Sequence, residues 1–325
     1  MPNVTITVVI CAYTEKRWDD LVSAVRSIES QTTPPLEIIV VIDHNPVLFT
    51  RASELFHDAK VIENSEQKGL SGGRNTAIAI AQGDVIAFMD EDATAQRDWL
   101  ALMTEAYRND QVIAVGGCII PAWDTVQPDW FPDEFLWVVG CTYLGMPAAT
   151  ASVRNLIGCN MSFRRSVFHS AGDFRNDIGR VGTRPVGCEE TELCIRVGQK
   201  LPGLSIIYDP RLVMNHRVPA IRTTFSYFTS RCYSEGLSKA LVSQYVGSSA
   251  GLASERAYST RVLPAGVIKA LKALFSRSQM SKSKRALAIV IGFALTGFGF
   301  VFGTIELLAA KLRGQRPSAS LSKKD

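Results

Sequence analysis

Three carboxylates stand in a row at Asp90-Glu91-Asp92, directly after the apolar run Val85 to Met89. Side by side they repel. A divalent cation relieves that cost, and an oxygen-rich set of this kind suits Mg2+ or Mn2+ bridged to a diphosphate. Taken alone, the triplet is equally an acidic turn in which Asp92 or Thr94 caps a helix starting near Arg97. Asp43 closes another apolar run, Ile38 to Ile42. If both runs are parallel strands, the two acidic sites share the carboxyl edge at which open α/β sheets bind ligands. An ionised carboxylate only accepts, so Asp43 suits an imide N–H such as that of uracil, or else caps a loop.

Lys68-Gly69-Leu70-Ser71-Gly72-Gly73-Arg74-Asn75 opens a helix with a flexible turn and two cations near its positive end, a place for phosphate. It is not the dinucleotide fingerprint, and an N-cap at Ser71 with a glycine pair for close packing explains it nearly as well. Glu189, Glu190 and Glu192 fall in the first turn of another expected helix, where acidic side chains complement the helix dipole. One of them within about 3 Å of an acceptor hydroxyl would be a general base. His216, in Val213-Met214-Asn215-His216, is a metal ligand only in the company of other donors.

These residues need a scaffold, and the apolar pattern supplies one. Val4 to Ala12 reads as a strand, Trp18 to Gln31 as a helix, Leu36 to Ile42 as a strand, Val47 to His57 as a helix and Lys60 to Glu63 as a short strand. Ser71 to Ala81 (helix), Asp84 to Met89 (strand), Arg97 to Arg108 (helix) and Gln111 to Ile120 (strand) continue the alternation. Strands without polar alternation, separated by helices, predict an α/β fold with a mostly parallel sheet covered on both faces. Residues 121–152, broken by four prolines and rich in aromatics, read as a long excursion over the sheet edge. Beyond it, Arg154 to Arg164 reads as a strand, Glu189 to Lys200 as a helix, and Ser205 to Tyr208 with Leu212 to His216 as one or two short strands.

Charge is uneven. Residues 261–325 carry 12 Lys/Arg against Glu306 and Asp325, so in a chain of net charge +4 the first 260 residues are acidic. This argues against a nucleic-acid partner and for a globule joined to a basic segment that meets anionic lipid. Ala286 to Ile305 is 20 residues without a charge, the length of a membrane helix, with glycines at 292, 297, 299 and 303. Leu263 to Phe275, apolar but for Lys269 and Lys272, reads as an interfacial helix. Six basic side chains precede the span and five occupy the tail 311–325, so the charge rule for orientation barely chooses and a re-entrant hairpin stays open. Seven scattered cysteines without a C-x-x-C pair suit a reducing compartment, and no secretory leader is visible. The expected location is the cytoplasmic face of a membrane.

Taken in order, the segments resemble family 2 glycosyltransferases of the GT-A fold. The resemblance covers roughly residues 4–220 and rests on Val8 to Thr14, the strand ending at Asp43, Gly72-Gly73-Arg74-Asn75 with Gly83-Asp84, Asp90-Glu91-Asp92, Gly158 to Arg164, Glu189 to Leu193 and His216. It implies a three-layer α/β/α domain over 1–220, an amphipathic helical region over 221–285, a transmembrane or re-entrant helix over 286–310 and a basic tail over 311–325. It further implies that Cys11, Ala12, Tyr13 and Asp43 line a nucleoside pocket with Lys68 nearby, that Glu91 sits by the ribose and diphosphate, and that Arg74 and Asp90 belong to the same nucleotide-sugar site. Asp92 and His216 become the metal ligands, and imidazole shifts the expected ion from Mg2+ toward Mn2+. The family has Glu-Asp where this chain has Glu189-Glu190, which puts Glu190 in the position of the base, one methylene longer. The implied reaction is inverting transfer of a sugar from a nucleoside-diphosphate sugar, UDP-linked for preference, to a hydroxyl of a polyprenyl- or dolichyl-linked acceptor. A polyprenyl-phosphate glycosyltransferase, needing no strong base, and a non-catalytic membrane-anchored nucleotide-sugar binding module are the alternatives. A sugar nucleotidyltransferase is disfavoured, because Thr14-Glu15-Lys16-Arg17 does not supply its Gly-rich, Arg-Lys signature.

Overall fold

The computed structural model describes residues 4–179, 187–251, 260, 262–272 and 279–314. The expected tail from 315 onward, and the end of the expected helix at 273–275, lie outside the described residues. The chain divides into two compact units, one from Met1–Ile120, Pro147–Arg184 and Glu189–His216, the other from Pro121–Met146, Pro185–Cys188 and Arg217–Asp325.

The first unit is built on a sheet whose parallel part carries the acidic residues. Strands β1 (Ile6–Ala12), β2 (Glu37–Ile42), β3 (Lys60–Glu63) and β4 (Val85–Asp90) pair in parallel in the order β3-β2-β1-β4. Every residue of β1 is buried, as a strand covered on both faces requires. Helices α1 (Trp18–Glu29), α2 (Pro46–Leu55) and α3 (Leu70–Ile78) alternate with these strands. Register then sets the site: Cys11 lies opposite Asp90, and Ala12 opposite Ile42, which leaves Tyr13 and Asp43 at the same edge.

Past β4 the sheet continues through β8 (Met161–Arg164), β6 (Val112–Trp123), β9 (Ser205–Val218) and β5 (Ala93–Ala95), with β7 (Ala151–Ser152) against β9. Helices α4 (Trp99–Ala106), α5 (Arg165–Ala171) and α6 (Glu189–Lys200) complete the unit. The α/β alternation is as the sequence predicts, and four local differences have physical causes. The strand expected over 154–164 begins only at Met161, because the preceding residues turn to carry the Gly158–Asn160 loop, and α5 follows it at once. The segments expected as one or two short strands form one long strand, β9, in which Asp209 and Arg211 pair with each other at 2.7 Å across Pro210 without breaking the ladder. β5 is three residues long and too short to leave an apolar signature. The strand expected to end at Ile120 runs on to Trp123.

In the second unit the aromatic stretch packs on a helix. Trp130 and Phe135 meet Phe228 of α7 (Phe225–Val246) at ring-centroid distances of 5.5 and 5.3 Å. A C-terminal helix, Gln279–Leu312, runs along α7, and its Ser283–Leu312 part is long and apolar enough to cross a membrane, with a mean hydropathy of 2.2. Glycine on each helix allows the contact: a Cβ on Gly299 would fall 2.2 Å from the Tyr233 carbonyl oxygen, and one on Gly236 of α7 2.1 Å from that of Thr296. Small residues let two helix backbones approach in this way. Leu287, Val290, Phe293, Phe298, Val301 and Ile305 are exposed.

Glycine is also required where β6 meets β9. A Cβ on Gly117 would lie 2.0 Å from the Leu212 carbonyl oxygen, whereas one on Gly198, exposed in α6, meets nothing within 4 Å. Gly117→Ala should therefore destabilise the protein by about 1–3 kcal/mol through forced strand separation. Gly198→Ala should stabilise it by about 0.5–1 kcal/mol through helix propensity and the unfolded chain. Paired denaturant melts check the opposite signs.

Candidate active site

Asp90 ends β4, and Glu91 and Asp92 follow in the turn before β5. Glu91 and Asp92 are both 6% exposed, so two carboxylates stand together nearly out of water. Arg17, from a 3-10 turn (Glu15–Arg17) just past β1, donates from Nη1 to Glu91 Oε1 at 2.7 Å and lies 3.1 Å from Asp92 Oδ2. Burial, and next the Asp92 charge, push the Glu91 carboxyl up to about 7 against the pull of Arg17. Burial works against the charge on Arg17, but Glu91 and Asp92 outweigh it and hold the guanidinium protonated.

His216 enters from β9. The β5–β9 register sets it opposite Ala93, one residue past Asp92, and its Nε2 is 3.1 Å from Asp92 Oδ1. Donor atoms of Asp90, Cys159 and His216 all lie within 4.8 Å of one another. A carboxylate, an imidazole and a thiol at that spacing, with Asp92 beside the imidazole, form a donor set that fits a divalent cation. Asn160 fixes this loop. It accepts from Trp99 Nε1 at 3.0 Å and donates to the carbonyls of Cys118 (3.1 Å) and Leu212 (2.8 Å).

Arg74 joins the triplet to the helix carrying the second acidic pair. It is 2% exposed, donates from Nη1 to Glu189 Oε1 at 2.8 Å, stands 3.6 Å from Asp90 Oδ1 and donates to the Gly158 carbonyl at 3.3 Å. Burial opposes its charge, and Glu189 and Asp90 restore it and raise its pKa. The guanidinium also lies 5.3 Å from the Phe174 ring centroid. The glycine pair before it is a packing requirement, since a Cβ on Gly72 would meet the Gln67 carbonyl at 1.9 Å and one on Gly73 the Cys11 sulfur at 3.2 Å. Gly72 lets the turn at Gln67 fold back on α3, and Gly73 lets α3 pack against Cys11 of β1. Glu190, next to the ion-paired Glu189, is half-buried, with the Thr191 hydroxyl 3.4 Å from its Oε1.

The remaining expected residues lie at the same edge of the sheet. Cys11 and Ala12 are buried at the end of β1, the Cys11 thiol pushed up to about 12 by burial, and Tyr13 has the Arg17 guanidinium 5.6 Å above its ring. Asp43 is engaged by the turn ahead of α3: it accepts from Asn64 Nδ2 at 2.7 Å and from the Gly69 N–H at 3.0 Å. Lys68, in that turn, is exposed. Sequence reasoning did not single out Arg17 or give Cys159 a role. Arg17 is one basic residue among several at a helix start, and Cys159 acquires meaning only when β9 brings His216 to it.

Comparison with known proteins accords with this geometry. A family model described as Glycosyl transferase family 2 matches residues 7–172, a span ending before Glu189, Glu190 and His216. A glucosyl-dolichyl phosphate glucuronosyltransferase of Haloferax volcanii is 32% identical over 304 residues, which are 92% of this chain and 96% of that one. Among solved structures, GalNAc-T7 with UDP, GalNAc and Mn2+ is similar at a TM-score of 0.52 and 16% identity, over 74% of this chain and 50% of that one. Mannosyltransferase PcManGT from Pyrobaculum calidifontis, in complex with GDP-Man and Mn2+, is similar at a TM-score of 0.51 and 18% identity, over 98% of this chain and 78% of that one. The fold is that of GT-A glycosyltransferases.

Replacing Arg74 strands two acidic neighbours. Arg74→Met should cost about 3–5 kcal/mol of stability, because it leaves the buried Glu189 carboxylate unpaired. Adding Glu189→Gln should return part of that loss, a coupling of about 1–2 kcal/mol in a double-mutant cycle followed by denaturant unfolding.

Proposed function

The chain belongs to glycosyl transferase family 2, and on that premise we propose that it transfers a sugar from a UDP-linked donor to a hydroxyl of a polyprenyl- or dolichyl-linked acceptor, with inversion, at the cytoplasmic face of a membrane. The observation that carries this reading is the meeting of Asp90, Glu91, Asp92 and His216 at the carboxyl edge of β1, β2 and β4. The lipid-linked acceptor is supported by the name of the Haloferax volcanii relative and by the apolar face of the C-terminal helix.

Each residue has a part in this proposal. Cys11, Ala12 and Tyr13 form the floor of the nucleoside site, and Asp43 accepts the uracil imide N–H on a lone pair beyond those used by Asn64 and Gly69. Lys68 and Arg74 lie toward the donor phosphates, and Glu91 toward the ribose and diphosphate. Asp92 and His216, with Asp90, hold a divalent cation, Mn2+ or Mg2+. When bound, that ion supplies the positive charge that offsets charge building on the leaving diphosphate. Glu189 is ion-paired to Arg74, and Glu190, which stands where the family resemblance puts the base, takes that role. Glu190 takes the proton of the acceptor hydroxyl, the oxygen attacks the anomeric carbon, and the bond from that carbon to the diphosphate breaks with its electrons on the leaving oxygen.

Turnover of a panel of UDP-, GDP- and dTDP-sugars by the full chain in detergent, with a polyprenyl- or dolichyl-linked sugar acceptor, tests this. One donor should be consumed, and Glu190→Gln should lower kcat roughly 10²- to 10⁴-fold while leaving donor binding intact. A Glu190→Gln variant that keeps full activity on a polyprenyl phosphate would contradict the hydroxyl acceptor, since a phosphate needs no strong base. No turnover of any donor would overturn the proposal.

A further inference from the structure

Cysteine at position 159 introduces a chemistry that an oxygen-and-imidazole site lacks. We propose that the Cys159 sulfur is a ligand of the cation held by Asp90 and His216, so that the site prefers thiophilic divalent ions such as Co2+, Zn2+ and Cd2+ over Mg2+. The proposal rests on the metal-binding reading above.

Three donors on three elements converge. The Cys159 sulfur, an Asp90 oxygen and a His216 ring nitrogen lie within 4.8 Å of one another. A first-row divalent ion binds sulfur at about 2.3 Å and imidazole nitrogen at about 2.0–2.1 Å, so ligand atoms at this spacing close on one ion by small rotations. Each donor is also held in place from behind. Asp90 is set by its register with Cys11. His216 is set by its register with Ala93 and has Asp92 Oδ1 at 3.1 Å from its Nε2. Cys159 is held on both sides, by the Arg74 bond to the Gly158 carbonyl and by the three side-chain bonds of Asn160.

A buried cysteine is more often a small packing residue, and six others in this chain are not grouped with carboxylate and imidazole donors among the described residues. Cys159 differs from them by its company. On binding, its S–H proton leaves to solvent and a sulfur–metal bond forms, with no change in oxidation state. Softness of the donor set governs selectivity among available ions, and one thiolate moves an Asp/His site from the Mg2+ side toward the Zn2+ side.

The test is Co2+ titration of the full chain in detergent, in the presence of a nucleoside diphosphate, read by absorption. Wild type and a Cys118→Ser control should show a near-ultraviolet sulfur-to-cobalt charge-transfer band that saturates with the visible cobalt bands. Cys159→Ser and Cys159→Ala should lose the near-ultraviolet band and keep the visible ones. Cd2+ affinity should fall by roughly tenfold or more in these variants, with Mg2+ affinity nearly unchanged. Unaltered unfolding midpoints of the metal-free variants establish that they are folded. Visible bands without the near-ultraviolet band in wild type, or persistence of that band in Cys159→Ser, overturn the sulfur ligand while leaving the metal site intact. Absence of any cobalt signal in wild type overturns the metal site and the sulfur ligand together.

Discussion

Like charges crowded in a place that excludes water govern the arrangement of the first unit. Asp90, Glu91, Asp92 and Glu189 bring four carboxylates to one end of the sheet, against the guanidinium groups of Arg17 and Arg74. Glu91 responds as a buried acid beside another must, with its pKa raised to about 7. Two arginines do not neutralise four acids, and the imidazole of His216 stands where a further positive charge belongs. The cation proposed above would complete the balance, and an anionic diphosphate would then meet an attractive site instead of a repulsive one.

Much of the backbone can be traced to holding those groups together. The β1–β4 register brings Asp90 beside Cys11, and the missing side chain of Gly73 lets α3 pack on Cys11, with Arg74 of that helix reaching both Glu189 and Asp90. On the antiparallel side, β9 carries His216 to the same point and Asn160 ties its loop to β6, β9 and α4. The contacts of Arg74 with Glu189, of His216 with Asp92 and of Asn160 with its three partners are buried polar contacts between elements distant in sequence. Their loss would leave a donor or a charge unsatisfied as well as removing a contact.

The parallel strands were legible because they are uninterrupted apolar runs ending in acid, and β1, β2 and β4 lie within two residues of where that pattern puts them. The helix from Glu189 to Lys200 was legible for the same kind of reason, acidic residues at its start and helical spacing after. Less of the site was legible. Nothing local distinguishes Arg17 from Lys16, and only the fold sets Arg17 on Glu91. Glu189 and Glu190 look equivalent in sequence, yet it is the Glu189 carboxylate that lies 2.8 Å from the buried Arg74 guanidinium. Asp209-Pro210-Arg211 reads as a break, and the ion pair that lets β9 pass through it is a side-chain event that periodicity does not register.

Calorimetry of UDP binding to the full chain tests most directly whether a cation links the acidic cluster to a diphosphate. With Mn2+ present UDP should bind at least tenfold more tightly than in EDTA, and UDP should tighten Mn2+ by the same factor, as linkage requires. Asp92→Ala should abolish the coupling. UDP affinity that is equal in Mn2+ and EDTA would contradict the account.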